Sequence, residues 1–447
     1  MILDRLRILM IGSLLTSVVI VGQKAFSEET SDSNLEVEKT FVVDIAQAAV
    51  FQEDIDALNK EIVGKGKLGA VDLPDLGVSM VTGTFTEREI EELRSKGYEE
   101  RDSLEVNLFA DGMCEQRERL EAWPTDIVPP SVCRVIRPQT PITGTLPTVW
   151  IIDSGVDPLV VSEGLLDVEE IIDCVSSPCQ PAANPRDESG HGTAVAGIIG
   201  GKRGRDVGLL GVAPGARLKI VRAFKRNKTR LFGGPLLAIM YVRAIANSGD
   251  IVNLSWGAEF LESARSDEDI EDLRTFDSYL YEMADRGMHI VIAAGNALEN
   301  DVGAWVQSYF PANAAPYGSL ATGGIYSVSA SESTFVATTG SGPCAGVNNA
   351  WCDTLWRGGA FGALYAAPGV GVMTLWKSQG AAKLRSNVCS GTSFAAPALA
   401  GLLARKATVS TVAIKAGRLP NNQNVDRVVY NAPGNPDLTD AAHPICN

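Results

Sequence analysis

"VCSGTSFAAPALAG", Val388–Gly401, sets two hydroxyls, Thr392 and Ser393, between a glycine turn and a run of small apolar residues. Such a run suits a buried helix, with Thr392 or Ser393 at its N-terminus as a cap. Pro397 is expected in the first turn, where an absent N–H costs little. Ser393 has a second reading, as a nucleophile. A serine hydroxyl is a poor nucleophile unless a base stands beside it. The chain has three histidines, His191, His289 and His443, so one of them must sit in a supporting context.

Outward from that helix, the chain after Val149 alternates apolar strands with helices. Strands are expected at 149–152, 217–224, 250–256, 289–294 and 325–330, with helices at 234–248 and 269–287. Apolar strands with interleaved helices indicate a mainly parallel sheet covered on both faces, a three-layer α/β/α domain. In such sheets functional groups gather beyond the carboxyl ends of strands and at the helix N-termini that come next. Asp153 follows the strand "VWII" in "DSGVD". His191 opens the helix of "DESGHGTAVAGIIGG" (187–201). Asn296 follows "HIVIAA" in "AAGN" (293–296), and Ser393 opens the helix just described.

Ser393, His191 and Asp153 hold the three chemistries of an acyl-transfer triad. The histidine takes the serine proton and returns it to the leaving amine. The carboxylate fixes the imidazole tautomer and stabilises the imidazolium. Asn296 could donate its side-chain amide to the developing oxyanion, beside the Ser393 N–H. Alone, each residue reads as a turn or cap; the order Asp, His, Asn, Ser with flanking glycines reads as one site.

"DSG", "GHGTAVAG", "NLSWG", "AAGN" and "GTSFAAP" resemble the signature blocks of the subtilisin-like serine proteases, over about residues 145–432. The resemblance implies a serine endopeptidase with Asp153, His191 and Ser393 as triad and Asn296 as oxyanion donor. It implies that Leu254, Ser255, Trp256 and Gly257, with Gly233 and Gly234, pair with the substrate backbone as added strands. Ala293, Ala294 and Gly295 would line the pocket for the residue before the scissile bond. The carboxyl-type relatives carry glutamate and aspartate where this chain has His191 and Asn296. Ala194 and Ala398 stand where the family often has histidine, outside the triad. No cofactor is implied for the chemistry, no metal ligand set is evident, and the family's calcium loops are not recognisable. The acidic run 266–277 reads as a solvated helix start. The alternative function is a catalytically inactive binding or scaffold protein on the same fold.

The rest of the 447-residue chain supports an exported protein. Arg5 and Arg7 precede an apolar run, Ile8–Gly22, and small residues Ala25 and Ser27 come after it, which reads as a signal peptide over 1–27 rather than a membrane anchor. The expected destination is outside the cell, or the periplasm in a Gram-negative bacterium. Eight cysteines in an exported chain suggest disulfides. Cys174/Cys179, Cys344/Cys352 and Cys114/Cys133 are the near pairs, leaving Cys389 with Cys446. Net charge of −15 argues against nucleic acid or an anionic membrane surface as partner. The expected partners are protein or peptide substrates, and a monomer is expected.

Residues 28–111 are expected to be a propeptide. Its unit 41–111 runs strand (41–45), helix (51–62), strand (78–85), helix (86–97), strand (103–109), a small α+β pattern of ferredoxin-like type. "TERE", Thr86–Glu89, is a capping box. The unit resembles the inhibitory prodomain of the same family, and would be removed by a cut between Leu108 and Ala122, near Asp111 and before Cys114. Residues 112–147 read as an extended linker, and 112–447 as the peptidase domain.

Overall fold

The computed structural model describes residues 37–44, 71–73, 76–108, 114–117, 128–136, 145–202, 208–260, 266–297, 304–336, 350–378, 384–406, 409–413 and 427–431. The expected signal peptide, the helix at 51–62, Cys344 and Cys446 lie outside them.

The N-terminal unit comprises β1 (Val37–Asp44), β2 (Val71–Leu73), β3 (Val78–Phe85), α1 (Glu87–Ser95) and β4 (Glu99–Glu100). Its sheet runs β2-β3-β1-β4 and is antiparallel throughout. Alternation along the strands divides the side chains between two faces. Phe41, Val43, Val81 and Phe85 form a small core with Ile90 and Leu93 of α1. Val42, Leu73 and Met80 join the core of the large domain instead. The Thr86–Glu89 capping box starts α1 as the sequence implies. The expected closing strand does not join this sheet. Its centre, β5 (Glu105–Asn107), runs antiparallel to a strand of the large domain.

Beyond β5 come β6 (Cys114–Arg117) and α2 (Pro130–Val135), so the expected linker carries two elements. Arg134 of α2 forms a buried ion pair with Asp353, Nη2 to Oδ2 2.5 Å.

The large domain continues as β7 (Thr148–Asp153), α3 (Pro158–Ser162), β8 (Val168–Asp173), β9 (Gln180–Pro181), α4 (His191–Gly200), β10 (Arg217–Arg222), β11 (Lys228–Arg230), α5 (Gly234–Ile245) and β12 (Ile251–Leu254). Next are β13 (Ala258–Glu259), α6 (Asp267–Asp285), β14 (His289–Ala293), β15 (Tyr309–Phe310), β16 (Tyr317–Ser319), β17 (Gly323–Val336) and β18 (Ala350–Leu355). The last are β19 (Tyr365–Pro368), β20 (Val372–Trp376), β21 (Arg385–Cys389), α7 (Thr392–Ala404), β22 (Val409–Ala413) and β23 (Arg427–Asn431).

The strands β23-β19-β17-β14-β12-β7-β10-β8 lie side by side and parallel. Antiparallel β22, β9, β16 and β18 are added at the edges and on β17. Helices α4 and α7 pack together on one face; α5 and α6 pack together on the other. This is a three-layer α/β/α domain with a mainly parallel sheet. The central strands are buried on both faces: all six residues of β7 and all four of β12 are buried from solvent. That is why they read as continuous apolar runs. No helix among the described residues is long and apolar enough to cross a membrane.

The disulfides depart from the near-neighbour expectation. Cys174 pairs with Cys179 as expected, but Cys114 pairs with Cys389, across 275 residues. The Cys114/Cys133 and Cys389/Cys446 pairings are thereby corrected. Cys133 and Cys352 are also disulfide-bonded. Sequence distance says little about spatial distance once β6 adds to β21, where Cys114 lies opposite Cys389.

Candidate active site

Asp153 is the last residue of β7, and His191 the first of α4. Both are fully buried, and His191 Nδ1 lies 2.8 Å and 3.0 Å from the two Asp153 carboxylate oxygens. A carboxylate only accepts, so Nδ1 carries a proton and donates to Asp153. The Ser154 N–H also donates to Asp153 Oδ1, at 2.7 Å. The turn after β7 needs glycine at Gly155: φ is 112°, and a Cβ there would collide with the Arg186 carbonyl.

Asp187 was not singled out from the sequence, yet it organises this corner. Its buried carboxylate accepts from Gly190 N (2.7 Å), Thr193 N (2.9 Å), Thr193 Oγ1 (2.6 Å) and Ser154 Oγ (2.9 Å). It therefore caps the first turn of α4 and aligns Ser154 beside Asp153. The signal was present in the sequence: an acid four residues before a helix that opens with glycine and histidine.

Ser393 is fully buried at the second position of α7. Its Oγ and His191 Nε2 are both buried, and neither hydrogen-bonds another group among the described residues. The two residues share a locality, because the His191 ring lies 5.3 Å from the ring of Phe394. Pro397 is the sixth residue of α7, not in the first turn as expected. It has no N–H for the carbonyl four residues back, which is that of Ser393. Ser255 supplies the missing donor, its hydroxyl 2.9 Å from that carbonyl, and Asn253 Nδ2 donates to Ser255 Oγ at 2.9 Å. The block "NLSWG" is thus bonded directly to the serine.

Asn296 lies just beyond β14 and is nearly buried. Its Oδ1 accepts from Thr392 N (3.0 Å) and Thr392 Oγ1 (2.9 Å), which directs the amide nitrogen away from Thr392. That nitrogen lies 3.0 Å from where a Cβ on Gly391 would stand, so a side chain at 391 would crowd it. Gly295 N donates to Thr392 Oγ1 at 3.1 Å. Ala293, Ala294 and Gly295 are therefore locked to the start of α7.

The stretch before the expected cut pairs with Gly257 of "NLSWG". On one edge Asn107 exchanges both backbone hydrogen bonds with Gly257, 2.8 and 2.9 Å. On its other edge β5 pairs with β11, Asn107 opposite Lys228 and Glu105 opposite Arg230, and Leu108 N donates to Asn227 O at 2.8 Å. Leu104, Val106 and Leu108 are all buried. A segment of the chain thus lies extended as the middle strand between Gly257 and β11. Gly233 and Gly234, expected as a pairing edge, instead open α5, where a Cβ on Gly234 would collide with the Ala223 carbonyl. Leu254 and Trp256 are buried in the core, and Trp256 Nε1 donates to Ile152 O at 3.0 Å.

Further contacts dock the N-terminal unit. Arg101 Nη2 reaches Asp272 Oδ1 at 2.7 Å and the guanidinium lies over the Phe232 ring, 5.2 Å from its centroid. Thr40 Oγ1 donates to Phe232 O at 2.5 Å. Burial pushes the Asp272 carboxyl up, against the downward pull of Arg101.

Residues 144–412 match the family model described as the Subtilase family. The chain is similar to Subtilisin-like protease 2 of Plasmodium falciparum (isolate 3D7), 35% identical over 121 residues, 27% of this chain and 8% of that protein. It is similar to Minor extracellular protease Epr of Bacillus subtilis (strain 168), 28% identical over 198 residues, 44% of this chain and 26% of that protein. These matches span about a quarter or less of either relative's length. Among solved structures, a cold adapted subtilisin-like serine proteinase aligns with 62% of this chain and 84% of its own, at 20% identity and a TM-score of 0.42.

Proposed function

The chain belongs to the subtilase family, and from that premise we propose that it is a secreted serine endopeptidase made as a zymogen. The observation that carries the reading is the buried His191–Asp153 couple, whose Nε2, like the Ser393 hydroxyl, has no hydrogen-bond partner among the described residues. Ser393 Oγ attacks the scissile carbonyl and passes its proton to His191 Nε2. The imidazolium, bonded through Nδ1–H to Asp153, returns that proton to the leaving amine as the C–N bond breaks. Water then attacks the acyl-enzyme; His191 takes a proton from it and gives it back to Ser393 Oγ. Asn296 Nδ2 and the Ser393 N–H stabilise the oxyanion of each tetrahedral intermediate.

Residues 28–111 act as folding aid and inhibitor. The extended β5 segment supports this, since it pairs with Gly257 and β11 as an added substrate strand would. The cut falls between Leu108 and Cys114. A cut after Cys114 would leave the unit tethered to Cys389.

Ser393→Ala is expected to abolish both peptide hydrolysis and self-processing while the chain still folds. Normal turnover by the purified variant would overturn the assignment. Failure of a serine-directed phosphonate to label the processed wild-type protein would do the same.

A further inference from the structure

The stretch that contains the proposed cut is pinned at both ends, by different kinds of bond. Upstream, the hold on Asn107 and Leu108 is noncovalent and includes backbone hydrogen bonds to Gly257 and Asn227. Downstream, Cys114 is covalently joined to Cys389, four residues before Ser393. From Cys114, β6 continues as an antiparallel strand on β21, Cys114 opposite Cys389 through Arg117 opposite Ser386. No more than five residues separate these anchors. The direction of the chain is set by its register: antiparallel to Gly257, it advances toward Ser255, whose hydroxyl bonds Ser393. β5, before the cut, therefore lies on the acyl side of the nucleophile, and β6, after it, is assigned to the leaving-group side.

We propose that the Cys114–Cys389 disulfide makes β6 a permanent strap on the leaving-group side of the cleft, so that the processed enzyme discriminates against substrates extended beyond the scissile bond. This rests on the peptidase reading and on a cut between Leu108 and Cys114. After the cut, the segment ending at Leu108 can dissociate; β6 cannot. A terminus tethered by so few residues is present at an effective concentration on the order of millimolar, and a segment of about 0.1 mM intrinsic affinity would then depress binding of a competing chain about tenfold. A substrate that ends in a small aryl amide does not meet the strap. Reduction releases it: two thiols of a reductant give up two electrons and two protons, Cys114 and Cys389 become thiols, and the reductant becomes a disulfide.

The test compares two substrates of the processed enzyme with the same acyl-side sequence. One ends in p-nitroanilide; the other continues for several residues to a quencher. In the Cys114→Ser/Cys389→Ser variant, kcat/KM for the extended peptide is expected to rise about tenfold relative to the anilide. An unchanged ratio, or an equal fall for both substrates, would mark the bond as structural support and overturn the proposal. If the variant does not fold, folded wild-type enzyme reduced with dithiothreitol and capped with iodoacetamide gives the same two readings. A mature N-terminus beyond Cys114 overturns the strap alone. Hydrolysis of neither substrate overturns the peptidase reading itself.

Discussion

Pro397 and Ser255 illustrate how single residues shape the site. The proline withholds one helix hydrogen bond, the Ser393 carbonyl becomes available, and Ser255 ties the "NLSWG" block to it. Asn296 has a double role, since its Oδ1 holds Thr392 while its amide nitrogen points toward Gly391. Asn296→Ala is expected to lower kcat by roughly 10²–10³-fold with little change in KM, because the lost donor acts mainly in the transition state. A raised KM with kcat intact would make it a binding residue instead. Asp187 is a positioning residue. Asp187→Ala strands two buried N–H donors, Gly190 and Thr193, and is expected to cost about 2–4 kcal/mol. Asp187→Asn, which keeps one acceptor, should recover part of that loss. Urea unfolding reads the stability, and kcat on the folded fraction reads the alignment of His191. A wild-type midpoint for the alanine variant would rule the role out.

Among the elements, α6 shows how one helix mixes legible and hidden features. Its acidic start is a capping box, Ser266 with Asp269, and that pattern is readable in sequence. Asp277, midway along it, is not. Its Oδ1 is buried without a hydrogen-bond partner among the described residues, and burial pushes the carboxyl up to about 7. The raised value sets the sign of the pH effect. Below the usual carboxylate range, both folded and unfolded chains hold the proton and nothing is lost. As pH rises toward 7 the unfolded chain ionises first, so stability falls, and above 7 the loss is complete. Asp277→Asn is therefore expected to stabilise the protein by about 2–4 kcal/mol at pH 8 and to have no effect at pH 4. Thermal melts at the two pH values decide it; an equal shift at both would refute the titration. Strand β5 carries the opposite lesson. The alternation of Leu104, Val106 and Leu108 identifies a strand, but a period of two does not name the partner. The partner is β11 and Gly257 of the large domain, not the small sheet.

At the scale of the whole molecule, the proposed propeptide role makes the interface between the small unit and the large domain the place to test it. Arg101 and Asp272 meet there with the carboxylate almost inaccessible, and Arg101 also covers Phe232. Removing one partner of such a pair leaves a buried charge unpaired, at about 2–5 kcal/mol. Arg101→Ala in the full chain is expected to shorten the interval between self-processing and appearance of activity by roughly 30-fold or more. That interval can be timed by peptide hydrolysis after secretion. An unaltered interval would place the hold elsewhere, in the β5 pairing.

The sequence by itself determined the alternation of strands and helices in the large domain, because apolar runs and caps act over a few residues. It also determined the chemical set Asp153, His191, Asn296 and Ser393, because each lies at a strand end or helix start where short glycine-flanked motifs record the local backbone. Only the tertiary structure decided what those elements touch. It joined Cys114 to Cys389 across the chain, put Lys228–Arg230 rather than Gly233 and Gly234 beside β5, and gave Asp187 its four donors. Pairing and burial are sums over residues far apart in sequence; local pattern restricts what each segment can become but does not select its neighbours.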